Sequence, residues 1–419
     1  MARQIAYKIS KHVPTSLTSG IRHGRGIASW ARRDPTLFAR TVAKKAGRAL
    51  HVRSQNPTAV HIGYHNPGNA GDTVLFRATR ELWDRTIWPA EWVKLEVSAP
   101  VDDSNFSDLS ASDAIVVGGG GLFLRDTNAN QVSGWQWAIP SESLERLQTP
   151  LVVWAVGYNR FRGQPDFDEV FKSNVKTLVG KAIFTGLRNR GSIEAISRYL
   201  EPELRSRLSF QPCPTVHLAR LYGMPESALA EGKPNIAFNA AFDRRLLRFG
   251  TPQEENRIMT QIARALRELA SRGWKVSVVL HLPTDAAAIP WLQLESVPYE
   301  VVDLWAQNAD VVTRFYSQQA LTLGMRGHSQ MIPFGLGNGI VSIGSHDKLA
   351  WFLEDIRHPE WGVDVSDQNL AEHLIDLVDS LTLSTTDTRS KLIHAEECLW
   401  TTTIANASLV RSRLEELRG

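Results

Sequence analysis

From residue 58 onward, short apolar runs alternate with segments of helical periodicity, and this alternation limits the folds open to the chain. The run TAVHIGY (58–64) is typical of a buried strand. It is followed by DTVLFRATRELWD (72–84), in which Val74, Ala78 and Leu82 recur one helical turn apart. Strands that alternate with amphipathic helices favour a parallel sheet with helical crossovers. The sequence therefore predicts an α/β protein.

The alternation continues along the chain in two series. Further strands are predicted at 113–121, 150–158, 181–188, 235–242, 275–282, 300–305, 320–325 and 339–344. Helices are predicted at 191–200 (with Ser192 as its N-cap), 252–273, 346–356, 368–381 and 391–418. The segment 223–235 is rich in Gly, Pro and Glu and is typical of a boundary between the two series. Two series predict two Rossmann-like domains that face each other across a cleft.

The first 55 residues differ in charge from the remainder of the chain. They contain twelve Lys and Arg residues and one acid, Asp34, whereas the remaining residues include 35 basic and 43 acidic ones. They lack the apolar run of about 7–15 residues that a signal peptide has. We expect a solvated, partly helical arm, with a transit peptide or a segment on anionic lipid as the alternatives. Nucleic acid is not an expected partner, because the remainder of the chain is acidic.

The expected organisation has four parts. They are a basic arm at 1–55, an N-terminal Rossmann-like domain at 56–222, a C-terminal Rossmann-like domain at 223–367 and C-terminal helices at 368–419. Two cysteines, Cys213 and Cys398, do not make a disulfide framework, so a reducing, cytoplasmic location is expected. No run approaches the roughly 18 apolar residues of a membrane span.

The first loop whose residues suit ligand binding or catalysis is GYHNPGNAGDTVL (63–75), a strand-to-helix turn. Its glycines allow a ligand to approach the backbone closely, and Asn69 and Asp72 stand where the helix begins. A helix N-terminus favours anions, yet Asp72 would repel a phosphate. Asp72 is better explained as an N-cap or as a partner for sugar hydroxyls.

The second loop is VVGGGGLFL (116–124), where a strand runs into four glycines. They are Gly118, Gly119, Gly120 and Gly121. The N–H groups of such a loop can turn toward an anion or a sugar, although a plain tight turn gives the same pattern. The run is not a dinucleotide-binding fingerprint, because no acidic residue lies about 20 residues further on in a βαβ unit.

The third loop, 321–348, carries the most specific pattern. Arg326 and His328 stand just past a short strand, where open α/β sheets bind ligands. Arginine offers a planar fork to phosphate or carboxylate, and a nearby histidine can donate a proton. Lys348 lies in the first turn after the next strand, as a third positive group near the same place.

In this order, GNAGD (68–72), VVGGGG (116–121), GMRGHSQ (324–330) and the helix of Lys348 resemble the motifs of the polysaccharide pyruvyl transferases. The resemblance covers roughly residues 58–360. The chain departs from the family pattern at Gly337-Asn338-Gly339, where Gly-x-Pro is frequent, and at LRNRGS (187–192), which lacks an expected Asp.

The resemblance implies a glycosyltransferase-B-like fold and a ketal-forming transferase. Pyruvate would pass from phosphoenolpyruvate to sugar hydroxyls of a surface exopolysaccharide or its lipid-linked repeat unit, at the inner face of the membrane. Arg326 and Lys348 would bind the donor, and His328 would act as general acid or neutralise the phosphate. Asp72 would orient or deprotonate an acceptor hydroxyl. The acceptor side would include Asn69, Gly118, Gly119, Gly120 and Gly121, and neither a cofactor nor a metal is implied.

Two other functional classes fit the same pattern. A glycosyltransferase that uses a nucleotide sugar would have the same architecture and the same cations, and a non-catalytic binding protein is the third class. Several residues have a weaker claim to the cleft. These are His65, His281, His346, Arg188 and Arg190, together with Trp135 and Trp137, for which core packing is favoured over sugar stacking.

Overall fold

The computed structural model describes residues 56–65, 68–125, 131–223, 228–229, 231–232 and 234–418, and the predicted basic arm of 1–55 lies outside them. Residues 57–419 form one unit with two six-stranded parallel sheets. The first sheet consists of β1 (Thr58–Gly63), β2 (Glu91–Glu96), β3 (Ala114–Gly118), β4 (Leu151–Val156), β5 (Phe184–Leu187) and β6 (Leu208–Phe210). The second consists of β7 (Asn235–Asn239), β8 (Lys275–Leu280), β9 (Tyr299–Asp303), β10 (Leu321–Gly324), β11 (Gly339–Gly344) and β12 (Gly362–Asp364). The predicted α/β class with two Rossmann-like sheets is confirmed.

Helices connect successive strands. Those of the first sheet are α1 (Ala70–Thr86), α2 (Asp103–Ser110), α3 (Ser141–Arg146), α4 (Glu169–Lys181), α5 (Arg190–Ser197), α6 (Pro202–Arg205) and α7 (Leu218–Tyr222). Those of the second are α8 (Arg245–Phe249), α9 (Pro252–Ser271), α10 (Ile289–Leu294), α11 (Ala309–Ser317), α12 (His328–Gly335) and α13 (Asp347–Asp355), and the chain ends in α14 (Leu370–Leu383) and α15 (Thr385–Glu416). Every residue of β3 and β4 is buried, because helices cover both faces of a parallel sheet.

The strand order positions the site. The first sheet runs β2-β1-β3-β4-β5-β6 and the second runs β12-β11-β10-β7-β8-β9. The order therefore reverses between β1 and β3 in one sheet and between β7 and β10 in the other. Ligands of open α/β sheets bind outside the carboxyl ends of the strands at such switch points.

Helix α9 shows how the pattern of the sequence becomes packing. Pro252 occupies the first turn, and Oγ1 of Thr251 accepts from the N–H of Glu254 at 3.2 Å, which caps the helix. Its buried face includes Ile262 and Leu266, which pack against the second sheet. The helix ends within two residues of the predicted stop, just before Gly273.

The two C-terminal helices take different places. Helix α14 packs on α9, whereas α15 runs for 32 residues and contacts the cores of both sheets. Near its start, Leu392 belongs to the core of the second sheet, and further on Val410 packs in a cluster with Trp83 and Trp154. No helix in the described part of the chain combines the length and the apolar character needed to cross a bilayer.

Candidate active site

The carboxyl ends of strands from both sheets open onto one cleft of about 420 Å3. Its polar and charged side chains, among the described residues, are Tyr64, Asn69, Asp72, Gln136, Asn159, Arg188, Asp243, Arg244, Arg248, His281, Arg326, His328 and Lys348. Every site residue predicted from the sequence lies on this cleft except Gly118. Five of the side chains are Lys or Arg and two are carboxylates, so the cleft suits an anionic ligand.

Helix α1 begins at the cleft, and Asn69 rather than Asp72 is its N-cap. The Oδ1 atom of Asn69 accepts from the N–H of Gly71 at 2.9 Å and from that of Asp72 at 3.4 Å. The prediction of Asp72 as a cap is therefore wrong, since its carboxylate lies in the first turn and faces the cleft. Similarly, Asn189 caps α5, and Ser192 instead accepts from the N–H of Tyr158.

The carboxyl group of Asp72 is suited to proton transfer near neutral pH. Burial raises its pKa to about 6, although the nearby cations Arg188, Lys348 and Arg326 oppose the shift. Its Oδ1 atom lies 4.0 Å from Nδ1 of His328. A carboxyl group with this pKa can take a proton from a hydroxyl group and release it again.

The raised pKa of Asp72 predicts a pH-dependent stability. The folded protein holds a proton on this carboxyl at pH values where the unfolded chain, with a pKa of about 3.9, has lost it. Ionised Asp72 thus costs stability as the pH rises from about 4 to 6. We expect Asp72→Asn to raise the melting temperature by about 2–4 °C at pH 8 and to leave it nearly unchanged at pH 4. An equal change in melting temperature at both pH values, measured by scanning calorimetry, would contradict the raised pKa of Asp72.

The glycine run closes the other side of the cleft. Gly119 and Gly120 have φ values of 77° and 88°, a left-handed conformation that favours glycine, and Gly121 leaves room for Asn159. Gly118 is not among the residues that line the cleft, and its place on the acceptor side stays a prediction. It ends β3, and its carbonyl oxygen accepts a hydrogen bond from Nε2 of His61 at 3.0 Å.

Arg326 reaches the cleft with its guanidinium group already held by two carboxylates. Its Nε and Nη2 atoms donate to Asp285, and its Nη1 atom lies 2.7 Å from Oδ1 of Asp243. Asp285 is fully buried and also accepts from the N–H groups of His281 and Leu282 at 3.0 and 3.1 Å. These bonds fix the orientation of Arg326, and they also neutralise much of its charge.

Asp285 should accordingly be a major contributor to stability. Asp285→Ala leaves two backbone N–H groups and one side of Arg326 without acceptors in the interior. We expect the free energy of unfolding to fall by about 3–5 kcal/mol. The matched control is Asp310→Ala, which breaks the exposed ion pair with Arg77 and should cost less than about 1 kcal/mol. Urea unfolding measures the free energy of unfolding of both variants. Similar losses in the two variants would refute a major contribution of Asp285 to stability.

Arg188 follows β5 and is the cleft residue that the sequence signalled only weakly. Its side chain is buried at 6% exposure, and no hydrogen bond or ion pair to another described residue engages its guanidinium group. Gly157 makes room for it, since a Cβ there would lie 2.6 Å from Nη2 of Arg188. Arg190, two residues later, lies on the surface near Asp355. Burial lowers the pKa of Arg188, and the nearby Cys213 and Asp72 offset this shift only in part.

His328 and Lys348 converge on the same place. Burial lowers the pKa of both well below their ordinary values, and Arg188 lowers both further. The Nζ atom of Lys348 lies 3.3 Å from Oδ1 of Asn159, which also faces Nε2 of His346 at 2.9 Å. Since Nδ1 of His346 accepts from the N–H of Lys348, its proton lies on Nε2. His346 thus caps α13 and orients Asn159 without lining the cleft.

Three charged residues that follow β7 were not predicted from the sequence as part of the site. Asp243 accepts from Nη2 of Arg248 at 3.0 Å, and Arg248 also donates to Oγ of Ser345. Burial would raise the pKa of Asp243, but Arg326 and Arg248 hold it well below its usual range. Arg244 also lines the cleft. The segment DRRLLR (243–248) after a predicted strand was the available signal.

The remaining candidates divide between cleft and core. His281 lines the cleft; its Nε2 atom contacts the hydroxyl of Tyr316 at 2.6 Å, and its Nδ1 atom is buried without a partner. The ring of His65 turns away, with Nε2 at 2.9 Å from the carbonyl oxygen of His61. Trp135 and Trp137 are core residues, as favoured from the sequence. The described residues contain no group of three or more potential metal ligands.

Comparison with solved structures supports the fold alone. A protein of Listeria monocytogenes described as a UDP-N-acetylglucosamine 2-epimerase aligns with 10% identity and a TM-score of 0.50, over 81% of this chain and 91% of that one. MnaA of S. aureus, solved with UDP, aligns with 11% identity and a TM-score of 0.47, over 80% of this chain and 90% of that one. A glycosyltransferase of Rickettsia africae aligns with 12% identity and a TM-score of 0.46, over 87% of this chain and 98% of that one. The likeness to the Listeria protein is consistent with the α/β fold of two parallel sheets.

Sequence comparison identifies the family. No curated protein matches the chain significantly. The profile of the polysaccharide pyruvyl transferases matches residues 49–344, a range that includes the glycine run, Arg326 and His328. Seventy-one per cent of the chain falls within this match, and the residues that carry the resemblance line one cleft. The chain therefore belongs to the polysaccharide pyruvyl transferase family and is accordingly a transferase.

Proposed function

We propose that the cleft binds phosphoenolpyruvate and transfers its pyruvyl group to a sugar as a ketal. The observation that carries the proposal is a pair of basic side chains, Arg188, which is buried, and Lys348, which is half-buried; neither forms an ion pair with a carboxylate among the described residues. Unpaired buried charges are costly, so such a pair favours a small ligand with two anionic groups. Phosphoenolpyruvate carries a carboxylate and a phosphate on the same carbon, C2. The rigid fork of Arg326 forms the far wall of this anion site.

His328 supplies the proton in this proposal. Its ring, neutral in the ligand-free protein, gains a proton when the anionic donor raises its pKa, and the ring then protonates C3 of the enol phosphate. The double bond opens, C3 becomes a methyl group and C2 becomes an oxocarbenium centre. A sugar hydroxyl attacks C2 and loses its proton. The C2–O bond to phosphate then breaks with its electron pair, and a second hydroxyl attacks C2 and loses its proton to close the ketal.

Asp72 is the group proposed to accept a proton from the attacking hydroxyl. Its pKa of about 6 leaves it mostly ionised at neutral pH, and it lines the cleft with its Oδ1 atom 4.0 Å from Nδ1 of His328. Gly119, Gly120 and Gly121 give a sugar ring close access to the backbone on this side. The acceptor is proposed to be a surface exopolysaccharide or its lipid-linked repeat unit.

Ligand-dependent melting tests the proposal. The wild-type protein is heated with phosphoenolpyruvate, inorganic phosphate, pyruvate, UDP or UDP-N-acetylglucosamine, since a ligand that binds only the folded state raises the melting temperature. The proposal expects a saturable rise with phosphoenolpyruvate that exceeds the rise with phosphate or pyruvate. A rise with the nucleotides alone would indicate a glycosyltransferase, and no rise with phosphoenolpyruvate, with or without a sugar acceptor, would refute the donor.

Peripheral membrane contact through residues 1–55 is a separate proposal. Eleven net positive charges in this segment suit an anionic bilayer surface. Co-sedimentation with vesicles of neutral lipid, with and without 30% anionic lipid, tests it on the full chain and on residues 56–419. Equal binding by the two proteins would refute a role for the arm.

A further inference from the structure

Cys213 lies behind His328, on the side opposite the cleft. Its side chain is 2% exposed, and its Sγ atom is 3.8 Å from Nε2 of His328. On the other side of the ring, Nδ1 faces Oδ1 of Asp72 at 4.0 Å. Asp72 lines the cleft and Cys213 does not. The imidazole ring therefore stands between a carboxyl group on the substrate side and a thiol on the interior side.

Gly71 allows this placement of the ring. A Cβ atom at Gly71 would lie 2.6 Å from both Cβ and Nδ1 of His328, closer than any real contact. The helix start at α1 and the first turn of α12 can thus approach until the ring is confined on both edges. Little freedom remains for the ring to turn and exchange its two nitrogen atoms.

The neighbours of the ring fix the direction of the hydrogen bonds. Asp72 is mostly ionised at neutral pH and attracts an N–H group to the nitrogen that faces it, Nδ1. A neutral imidazole then offers a lone pair at Nε2. Burial raises the pKa of the Cys213 thiol, which keeps its proton, and Oγ1 of Thr215 lies 3.2 Å from Sγ and can donate to it. These neighbours favour hydrogen bonds that run from Thr215 through Cys213 to His328.

We propose that Cys213 is a positioning residue whose thiol donates a hydrogen bond to Nε2 of His328 and so keeps the ring proton on Nδ1, facing the substrates. The use of this proton in transfer rests on the proposed function, whereas the position of the proton does not. Loss of the thiol would free Nε2 to take the proton, and the ring would then present a lone pair to the cleft instead of a donor.

Imidazole NMR of the protein labelled with 15N-histidine tests the position of the proton directly. The signals of His328 are assigned by their absence from His328→Asn. We expect wild type to carry its proton on Nδ1 and Cys213→Ala to shift it largely to Nε2. The control is Cys398→Ala, which removes the exposed cysteine and should leave the spectrum of His328 unchanged.

The kinetic half of the test separates positioning from packing. For Cys213→Ala we expect kcat to fall about tenfold while KM for phosphoenolpyruvate stays within twofold. A proton on Nε2 in wild type overturns the proposal even if the variant does not fold. A variant that keeps the proton on Nδ1, or one that loses it from Nδ1 without a change in kcat, overturns it as well. If phosphoenolpyruvate fails to bind wild type, the proposed function fails while the NMR result still decides the role of the thiol.

Discussion

Replacing His328 by Asn is expected to lower kcat for pyruvyl transfer about 1000-fold while phosphoenolpyruvate still binds. General acids of this kind contribute roughly 100- to 10,000-fold to the rate. Asparagine keeps a polar group near Asp72 but has no proton to deliver at neutral pH. The anion site built by Arg188 and Lys348 is unchanged, so the rise in melting temperature with phosphoenolpyruvate should persist. Phosphate release in the presence of acceptor measures the rate.

The control for this variant is His373→Asn, at an ion pair with Asp367 on the surface, which should leave kcat unchanged. A His328→Asn enzyme that retains more than a tenth of the wild-type kcat would contradict the role of general acid. A variant that loses both kcat and the melting response would instead place His328 in donor binding, which was the alternative considered from the sequence.

Replacing Arg188 by Met is expected to have opposite effects on stability and on donor binding. Methionine fills the volume but removes a buried charge that has no partner among the described residues, so the ligand-free protein should gain about 1–3 kcal/mol in stability. The same change removes a charged contact to the donor and should weaken phosphoenolpyruvate binding by about 2–4 kcal/mol, roughly 30- to 1000-fold. Scanning calorimetry with and without the donor gives both quantities.

Arg190→Met provides the matched control for Arg188. Arg190 is exposed, lies two residues away and contacts Asp355 at 3.8 Å, so its loss should change neither quantity by more than about 0.5 kcal/mol. A ligand-free Arg188→Met protein that is less stable than wild type would show that Arg188 has a compensating partner and is a structural residue. The argument for an anion site would then lose its main support.

The strands in the middle of each sheet could be predicted from the sequence because they are buried on both faces. The runs at β3, β4 and β11 are continuous and apolar, and each was predicted within a few residues. Three edge strands, β2, β6 and β12, were not predicted. They are short or partly exposed, and their pattern depends on the neighbour that pairs with them rather than on their own sequence.

Helix α12 was also missed, for a reason that the hydrogen bonds explain. Pro333 stands inside the helix and removes an N–H group that would bond to the carbonyl of Ser329. The side chain of Gln330 donates to that carbonyl oxygen at 3.0 Å and replaces the lost bond. The sequence MIPFGLG is typical of a helix end unless this hydrogen bond from the side chain of Gln330 is known.

The candidate site could be predicted where a motif follows a strand, as at Asp72, Arg326 and Lys348. The sequence could not show which charged side chains form ion pairs and which do not. The pairing of Arg326 with Asp243 and Asp285, and the lack of a partner for Arg188, depend on residues up to 83 positions apart in the chain. We therefore propose Arg188 and Lys348 as the main donor contacts, and Arg326 as a fixed group in the same cleft.

Helix α15 has a consequence for how the protein is made. Its last turns cover the first sheet, where Arg411 donates to the carbonyl oxygens of Thr86 and Ile87 and Val410 packs with Trp83. Domains generally fold as units during synthesis, N-terminal ones first. Here the first sheet is translated early but cannot bury this surface until residues 385–416 have left the ribosome. Nascent chains that lack α15 should therefore bind chaperones, and a fragment that ends at residue 222 should aggregate rather than fold alone.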